Sequence, residues 1–200
     1  MSPKKVDKEQ KRKEIALACA DLIHDMGIKK MTVSQVAKTA GIGKGTVYEY
    51  FENKEDIVFE IINIHINNYH KEFLESIKFA KTTKDKIKHF FKFVLDNSEA
   101  NLRHFNGYKE YLSIVLSDEN SKMKDFNCKT SGFFKEQLSI VIEAGIKKGE
   151  LIPEALDLVN GIFIFEKGLI LLKMSENNYS PIEDFEKFID TIFKFIEVKK

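Results

Sequence analysis

Apolar residues recur along this chain at the spacing of one helix face, with little to interrupt them. Ile15, Cys19, Leu22, Ile23 and Met26 fall at i, i+4, i+7, i+8 and i+11, a single stripe at 3.6 residues per turn. Only 3 Pro and 10 Gly punctuate the 200 residues, too few for a turn-rich β fold. Gly27 is placed to end the first helix as a left-handed C-cap. Thr32 is a fair N-cap for a short helix that turns Val33, Val36, Ala37 and Ala40 inward and stops at Gly41. A second short helix follows over about 44–51. Asn53 then caps a helix running to about Phe79, with Asp56 at N3. Later helices are expected at about 84–97, 102–116, 122–148, 153–174 and 181–197. The last opens on Ser180-Pro181-Ile182-Glu183, a capping box with Pro at N1. No fixed-period repeat, low-complexity tract or β-hairpin signature breaks this pattern. The expected class is all-α, with about nine helices.

At 43% apolar and 32% charged residues, the chain reads as globular rather than disordered. Its first fourteen residues lack the apolar core of a signal peptide. The longest apolar stretch, 156–174, is interrupted by Asp157, Glu166, Lys167 and Lys173, charges that a membrane span tolerates poorly. Cys19 and Cys128 make neither a metal-ligand spacing nor a disulfide framework. The chain reads as cytoplasmic, with no membrane partner, no metal and no cofactor. Its net charge of +1 hides an asymmetry: residues 1–54 hold ten Lys and one Arg against seven acids, net +4, and the remainder is net −3. A basic head on an acidic body fits a polyanion partner for the head, or a lysine-rich tail with none. Phe51 is the only phenylalanine of the head, so 16 of the 17 lie beyond it. Two parts with different tasks are expected, 1–54 and 55–200.

Residues 32–54, TVSQVAKTAGIGKGTVYEYFENK, carry the sharpest pattern. Two short helices meeting at a tight turn need a small residue where they approach, and Ala37 provides it. Four residues on, Gly41 supplies the positive φ of the turn. Ile42 fills the corner, and Val47 and Phe51 pack the second helix against Val36. This is the spacing of a DNA-binding helix-turn-helix, though an ordinary αα corner shares the Ala and Gly. Two lysines favour DNA. Lys44 and Lys54 each open a helix, where a cation opposes the helix dipole by roughly 0.3–1 kcal/mol. Free backbone N–H groups beside a lysine make an anion site that suits phosphate. Between them Gly45, Thr46, Tyr48, Glu49 and Tyr50 form the outward face of the second helix. Gly45 permits close backbone approach, Thr46 can meet a base edge, and tyrosine hydroxyls can reach phosphate. Tyr50 can equally pack inward.

These residues resemble the tetracycline-repressor (TetR) family of bacterial transcriptional regulators. The likeness rests on Ile15, Ala18, Leu22 and Gly27, then Thr32-Val33, Val36-Ala37 and Ala40-Gly41-Ile42. Its most diagnostic run is Gly45-Thr46-Val47-Tyr48-x-Tyr50-Phe51-x-x-Lys54-Glu55. It covers about the first 57 residues; the rest matches in helix lengths and order alone. The resemblance implies a three-helix DNA-binding domain and a larger helical domain for ligand binding and dimerisation. It implies phosphate contacts from Thr32, Lys44, Tyr48 and Lys54, with Gly45, Thr46 and Tyr50 nearest the bases. Gly43 stands where the family often has a capping Ser, so a hydroxyl contact to phosphate would be missing. The family plan is a homodimer on operator DNA, commonly a repressor, released by a small-molecule inducer.

The body offers matching features. The last helix has a stripe of Ile182, Phe185, Ile189, Ile192, Phe193 and Ile196, with Phe188 and Phe195 off that face, so more than one side must be covered. With Phe165, Leu169 and Leu172 of the preceding helix, Phe185, Phe188, Ile189, Ile192, Phe193 and Ile196 are the expected dimer interface. Phe90, Phe91, Phe105, Tyr108, Tyr111, Phe126, Phe133, Phe134 and Phe163 would suit a cavity for a hydrophobic effector, or a plain core. Arg103, His104, Glu166 and Lys167 are the polar residues expected beside it. Enzyme signatures are missing: His65 and His70, five apart, point about 140° apart on a helix and cannot share a metal. No nucleophile elbow, P-loop or Glu-x-x-His pair occurs. A helical-bundle enzyme, or a module that uses the helix-turn-helix against protein, is the alternative.

Overall fold

The computed structural model describes residues 7–117 and 121–199, which form eleven α-helices and one 3₁₀ helix. The α-helices are α1 Lys8–Ala18, α2 Ala20–Lys30, α3 Val33–Thr39, α4 Lys44–Tyr50, α5 Lys54–Phe79 and α6 Thr83–Phe90. They continue with α7 Lys92–Leu95, α8 Glu99–Leu116, α9 Ser121–Lys147, α10 Val159–Ser175 and α11 Ile182–Ile196. The 3₁₀ helix, Pro153–Leu158, leads into α10. The all-α expectation holds. The surplus over nine arises at two breaks that carry neither Gly nor Pro. At Cys19 and Phe91 the backbone tightens to i→i−3 hydrogen bonds, Cys19 N–H to Ala16 O at 3.0 Å and Phe91 N–H to Lys88 O at 3.0 Å. Both side chains are fully buried, so the anchors sit where the helices step. The stretch expected as a helix over 153–174 is likewise divided, into the 3₁₀ helix and α10.

Two compact units are present. Among the described residues, the first takes the chain to His70 and then Ser98–Lys124; the second takes Lys71–Asn97 and Asp125–Lys200. In the first, α1 carries Ile15 and Ala16 inward, α3 carries Val36 and Ala37, α4 carries Val47, and α5 carries Ile57, Val58, Ile61 and Ile62. Gly27 has the positive φ expected of it, +71°, but its ψ of 161° is extended; the chain kinks and resumes one more turn before Met31. Ile28 N–H then donates to a Glu110 carboxylate oxygen on α8 at 3.1 Å.

In the second unit, a cluster of rings packs among a larger set of buried aliphatic side chains. Phe91 is fully buried, 4.8 Å from Phe185 and 6.0 Å from Phe165 between ring centroids, and Phe165 stacks on Phe188 at 3.8 Å. The start of α6 lies so close to α9 that a Cβ at Gly145 would collide with Thr83 Oγ1. Thr83 N–H donates to the Glu150 carboxylate at 2.6 Å. Backbone pairs Ile152 N–H to Ile196 O and Val198 N–H to Glu150 O fasten α11 to the link before the 3₁₀ helix. The expected capping box at Ser180 does not form. Pro181 itself takes the N-cap position with αR backbone angles, and no side chain caps α11.

The two cysteines differ. Cys19 is sealed in the core, and burial pushes its thiol up to about 11, whereas Cys128 on α9 is exposed. No described helix is long and apolar enough to cross a membrane.

Candidate nucleic-acid interface

The turn between α3 and α4 is built by its own backbone. Thr32 forms the full capping box with Gln35: Gln35 N–H donates to Thr32 Oγ1, and Thr32 N–H donates to Gln35 Oε1 at 2.9 Å. At the other end Gly41 has φ +67°, with Ile42 N–H bonded to Ala37 O and Gly41 N–H to Lys38 O, a Schellman pair. Ala37, Val36, Val47 and Phe51 are all buried, and Ile42 is half-buried in the corner.

The outward face of α4 holds the residues singled out from sequence. Lys44, Gly45 and Tyr48 are exposed; Thr46 and Tyr50 are half-buried. Gly43 is the N-cap at φ −69° and supplies no side-chain cap, so the first N–H groups of α4 lack a side-chain acceptor. A Cβ at Gly45 would meet nothing within 4 Å, so packing within the protein does not require glycine there. Thr32 is exposed, with its hydroxyl engaged in the capping box. Lys54 opens α5, and its Nζ donates to Lys29 O at 3.1 Å, closing the end of α2. Asn53 caps α5 by accepting from Asp56 N–H at 2.8 Å.

One residue that sequence reasoning passed over holds this face in place. Arg12 of α1 donates from Nε to Glu60 on α5 at 2.8 Å, and from Nη1 to Tyr50 O, the last carbonyl of α4. Its guanidinium lies 4.4 Å from the centre of the Phe51 ring. One planar cation thus joins α1, the C-terminal end of α4 and α5. Its partners lie 38 and 48 residues away, beyond any local pattern.

The residues expected around an effector cavity divide between the units. Phe90, Phe91, Phe126, Phe133, Phe134, Phe163, Glu166 and Lys167 belong to the second. There Phe90 meets Phe91, Phe134 and Phe73 edge-on, and Phe133 meets Phe134. Glu166 is buried beside Lys167 Nζ at 3.1 Å, and Lys167 and Lys135 both approach the face of Phe163. Arg103, His104, Phe105, Tyr108 and Tyr111 belong to the first unit; Phe105 and Tyr111 are buried, and Arg103 and His104 are exposed. Arg103 pairs with Asp21 at 3.3 Å and Glu99 at 3.0 Å. Of the expected interface residues, Leu169, Phe185, Ile189, Phe193 and Ile196 are buried within the chain itself, and Phe165, Leu172, Phe188 and Ile192 are half-buried. The apolar side chains that α10 and α11 leave most open are Ile164, Leu171 and Phe195. The off-face position of Phe195 is the sequence signal for that residue alone.

A family model described as bacterial regulatory proteins of the tetR family matches residues 15–61. The fatty acid metabolism regulator protein of Bacillus subtilis is 30% identical over 159 residues, covering 76% of this chain and 75% of that protein. Among solved structures, a TetR-family transcriptional regulator from Cytophaga hutchinsonii matches at TM-score 0.79 and 18% identity, over 98% of this chain and 100% of that one. The transcriptional regulator FadR from Bacillus subtilis, in complex with stearoyl-CoA, matches at TM-score 0.61 and 24% identity, over 90% and 95%. At these identities the two solved structures bear on the fold alone.

Proposed function

This chain belongs to the TetR family of bacterial transcriptional regulators, and on that footing we propose that it is a ligand-responsive repressor acting as a homodimer on a pseudo-palindromic operator. The observation that carries this reading is the outward face of α4, which offers Lys44, Gly45 and Tyr48 to solvent at a helix start with no side-chain cap. Residues 1–54 read DNA: Lys44, Tyr48, Thr32 and Lys54 against phosphates, Gly45, Thr46 and Tyr50 against bases. Two such helices, one per subunit, address half-sites one helical turn or a multiple apart. Residues 55–200 dimerise and hold the effector. The outer faces of α10 and α11 supply the interface, with Phe165, Leu172, Phe188 and Ile192 at its base and Ile164, Leu171 and Phe195 projecting from it.

The effector is hydrophobic, and a long-chain acyl thioester of coenzyme A is the first to try. Support comes from the clustered phenylalanine rings of the second unit and from a relative that regulates fatty acid metabolism. An effector moves the DNA-bound balance only by its differential affinity for the two states.

The test is selection of bound duplexes from a random pool by the full chain, followed by titration with stearoyl-CoA. A two-fold symmetric site, released by the acyl-CoA, is expected. A selected site without symmetry overturns the dimeric mechanism; a complex unmoved by acyl-CoA removes that effector class. Native mass spectrometry is expected to give twice 23.2 kDa, and Phe195→Asp to give monomers.

A further inference from the structure

Val47 anchors α4 to the core, and Gly45 and Glu49 stand two residues before and two after it. At about 100° per residue each lies about 160° around the helix from Val47, so the two share the outermost line of the helix, one turn apart. Gly45 has no side chain to offer there and open space around it. Glu49 is therefore the one side chain that α4 presents on that line. It is exposed, and among the described residues it makes no hydrogen bond and no ion pair. The positions three and four away along the chain are Gly45, Thr46, Glu52 and Asn53, none of them a cation. Glu49 also borders a cleft at the end of α4 that holds two cations, and both are engaged elsewhere. Arg12 binds Glu60 and Tyr50 O, and Lys122 pairs with Glu52 at 3.0 Å. One residue before the end of α4, the charge of Glu49 opposes the helix dipole as well. Its backbone is nonetheless well fixed, because Arg12 holds the carbonyl of the next residue, Tyr50.

We infer that Glu49 is a specificity-determining residue, whose carboxylate accepts a hydrogen bond from the N4 amino group of a cytosine in the major groove. The inference rests on α4 being the helix that enters the groove. DNA offers a free carboxylate few partners there. Phosphates repel it, and guanine O6 and N7 and thymine O4 are acceptors themselves. Two amino groups remain. That of adenine lies between two acceptors, its own N7 and the O4 of its thymine, whereas that of cytosine has an acceptor on one side only. Cytosine is thus the base that suits a single carboxylate. Gly45 lets the helix come close enough for Glu49 to reach the base edge. Against any other base the carboxylate is left unpaired among phosphates, so it selects by exclusion as much as by attraction.

The experiment is selection of duplexes from a random pool by the full chain and by its Glu49→Ala and Glu49→Gln variants, followed by anisotropy titrations on the selected site. The unaltered chain is expected to require a C·G pair at one position of each half-site. Glu49→Ala should lose about tenfold of the preference at that position, keep the preferences elsewhere, and bind non-specific DNA more tightly. Glu49→Gln should move the preference to A·T, because an amide pairs with adenine N6 and N7. A duplex carrying 2-pyrimidinone in place of that cytosine keeps the ring and lacks the amino group. It should cost the unaltered chain the same factor of about ten, and Glu49→Ala less than about two. Identical preferences in the three chains, or a change at a position that is not C·G, would overturn the role of Glu49 and leave the operator reading standing. No selected sequence from any chain would overturn the operator reading, and this inference with it. Should the variants fail to fold, the pyrimidinone duplex decides with the unaltered chain, and undiminished affinity for it overturns the cytosine contact.

Discussion

The short helices of the head and the long pair at the end of the chain hold their shapes by opposite means. α3 and α4, seven residues each, are too short to be helical alone. A capping box, a positive-φ turn and the buried contacts of Val36, Val47 and Phe51 fix them. α10 and α11 have 17 and 15 residues and are joined through rings, Phe165 on Phe188 and both helices against Phe91. In the head, shape is set at a few backbone positions that admit few residue types. In the body it is set by volume, which many combinations can fill. A single methyl should therefore matter greatly at chosen points of the head, and a missing ring should matter most in the body.

The largest effect is expected from Phe91→Ala. Truncating this fully buried ring should cost about 3–5 kcal/mol in denaturant unfolding; a loss under about 1 kcal/mol would mean that ring volume does not hold the body together. Next comes one methyl at two positions four residues apart. Gly41→Ala forces an L side chain to φ +67° and should cost about 1–2 kcal/mol. Gly45→Ala, with open space around its Cβ, should leave stability equal or raise it by up to about 1 kcal/mol. It should nonetheless weaken operator binding in an anisotropy titration, because in the proposed complex the added carbon would face the DNA. Should Gly45→Ala bind normally, the close backbone approach is wrong.

Lys44→Ala sharpens the contrast further. It should leave the melting temperature in place and lower the salt slope of DNA binding by about one. Lys54→Ala mixes two effects, since its ammonium also closes α2 through Lys29 O. The smallest effect is a pH dependence in the body. The Thr83 N–H holds the Glu150 carboxyl below its usual 4.5, and the Thr82 hydroxyl likewise lowers Asp85. A depressed folded pKa stabilises above the unfolded value and is lost as pH falls through the folded one. Melts should therefore drop below about pH 4.5 by less in Glu150→Gln than in the unaltered chain.

What could be read from sequence follows the same division. Thr32, Gly41, Asn53 and Asp56 act on partners within five residues, and each behaves as its local pattern implies. Arg12 could not be read, because Tyr50 O and Glu60 reach it only through the folded chain. The breaks at Cys19 and Phe91 were equally hidden, since they fall at buried side chains and not at Gly or Pro. Ser180 misled in the other direction, since Pro181 took the cap position itself. Arg103 and His104, expected beside an effector cavity, lie in the first unit next to Asp21 and His65, neighbours that no local pattern reveals.

The unequal cysteines give the molecule a built-in attachment point. A maleimide dye should couple to Cys128 alone, because Cys19 is out of reach and keeps its proton well above neutral pH. One fluorophore on α9 then reports from the body without any engineered residue. A second equivalent of label taken up during heating would mark the moment when the junction of α1 and α2 opens.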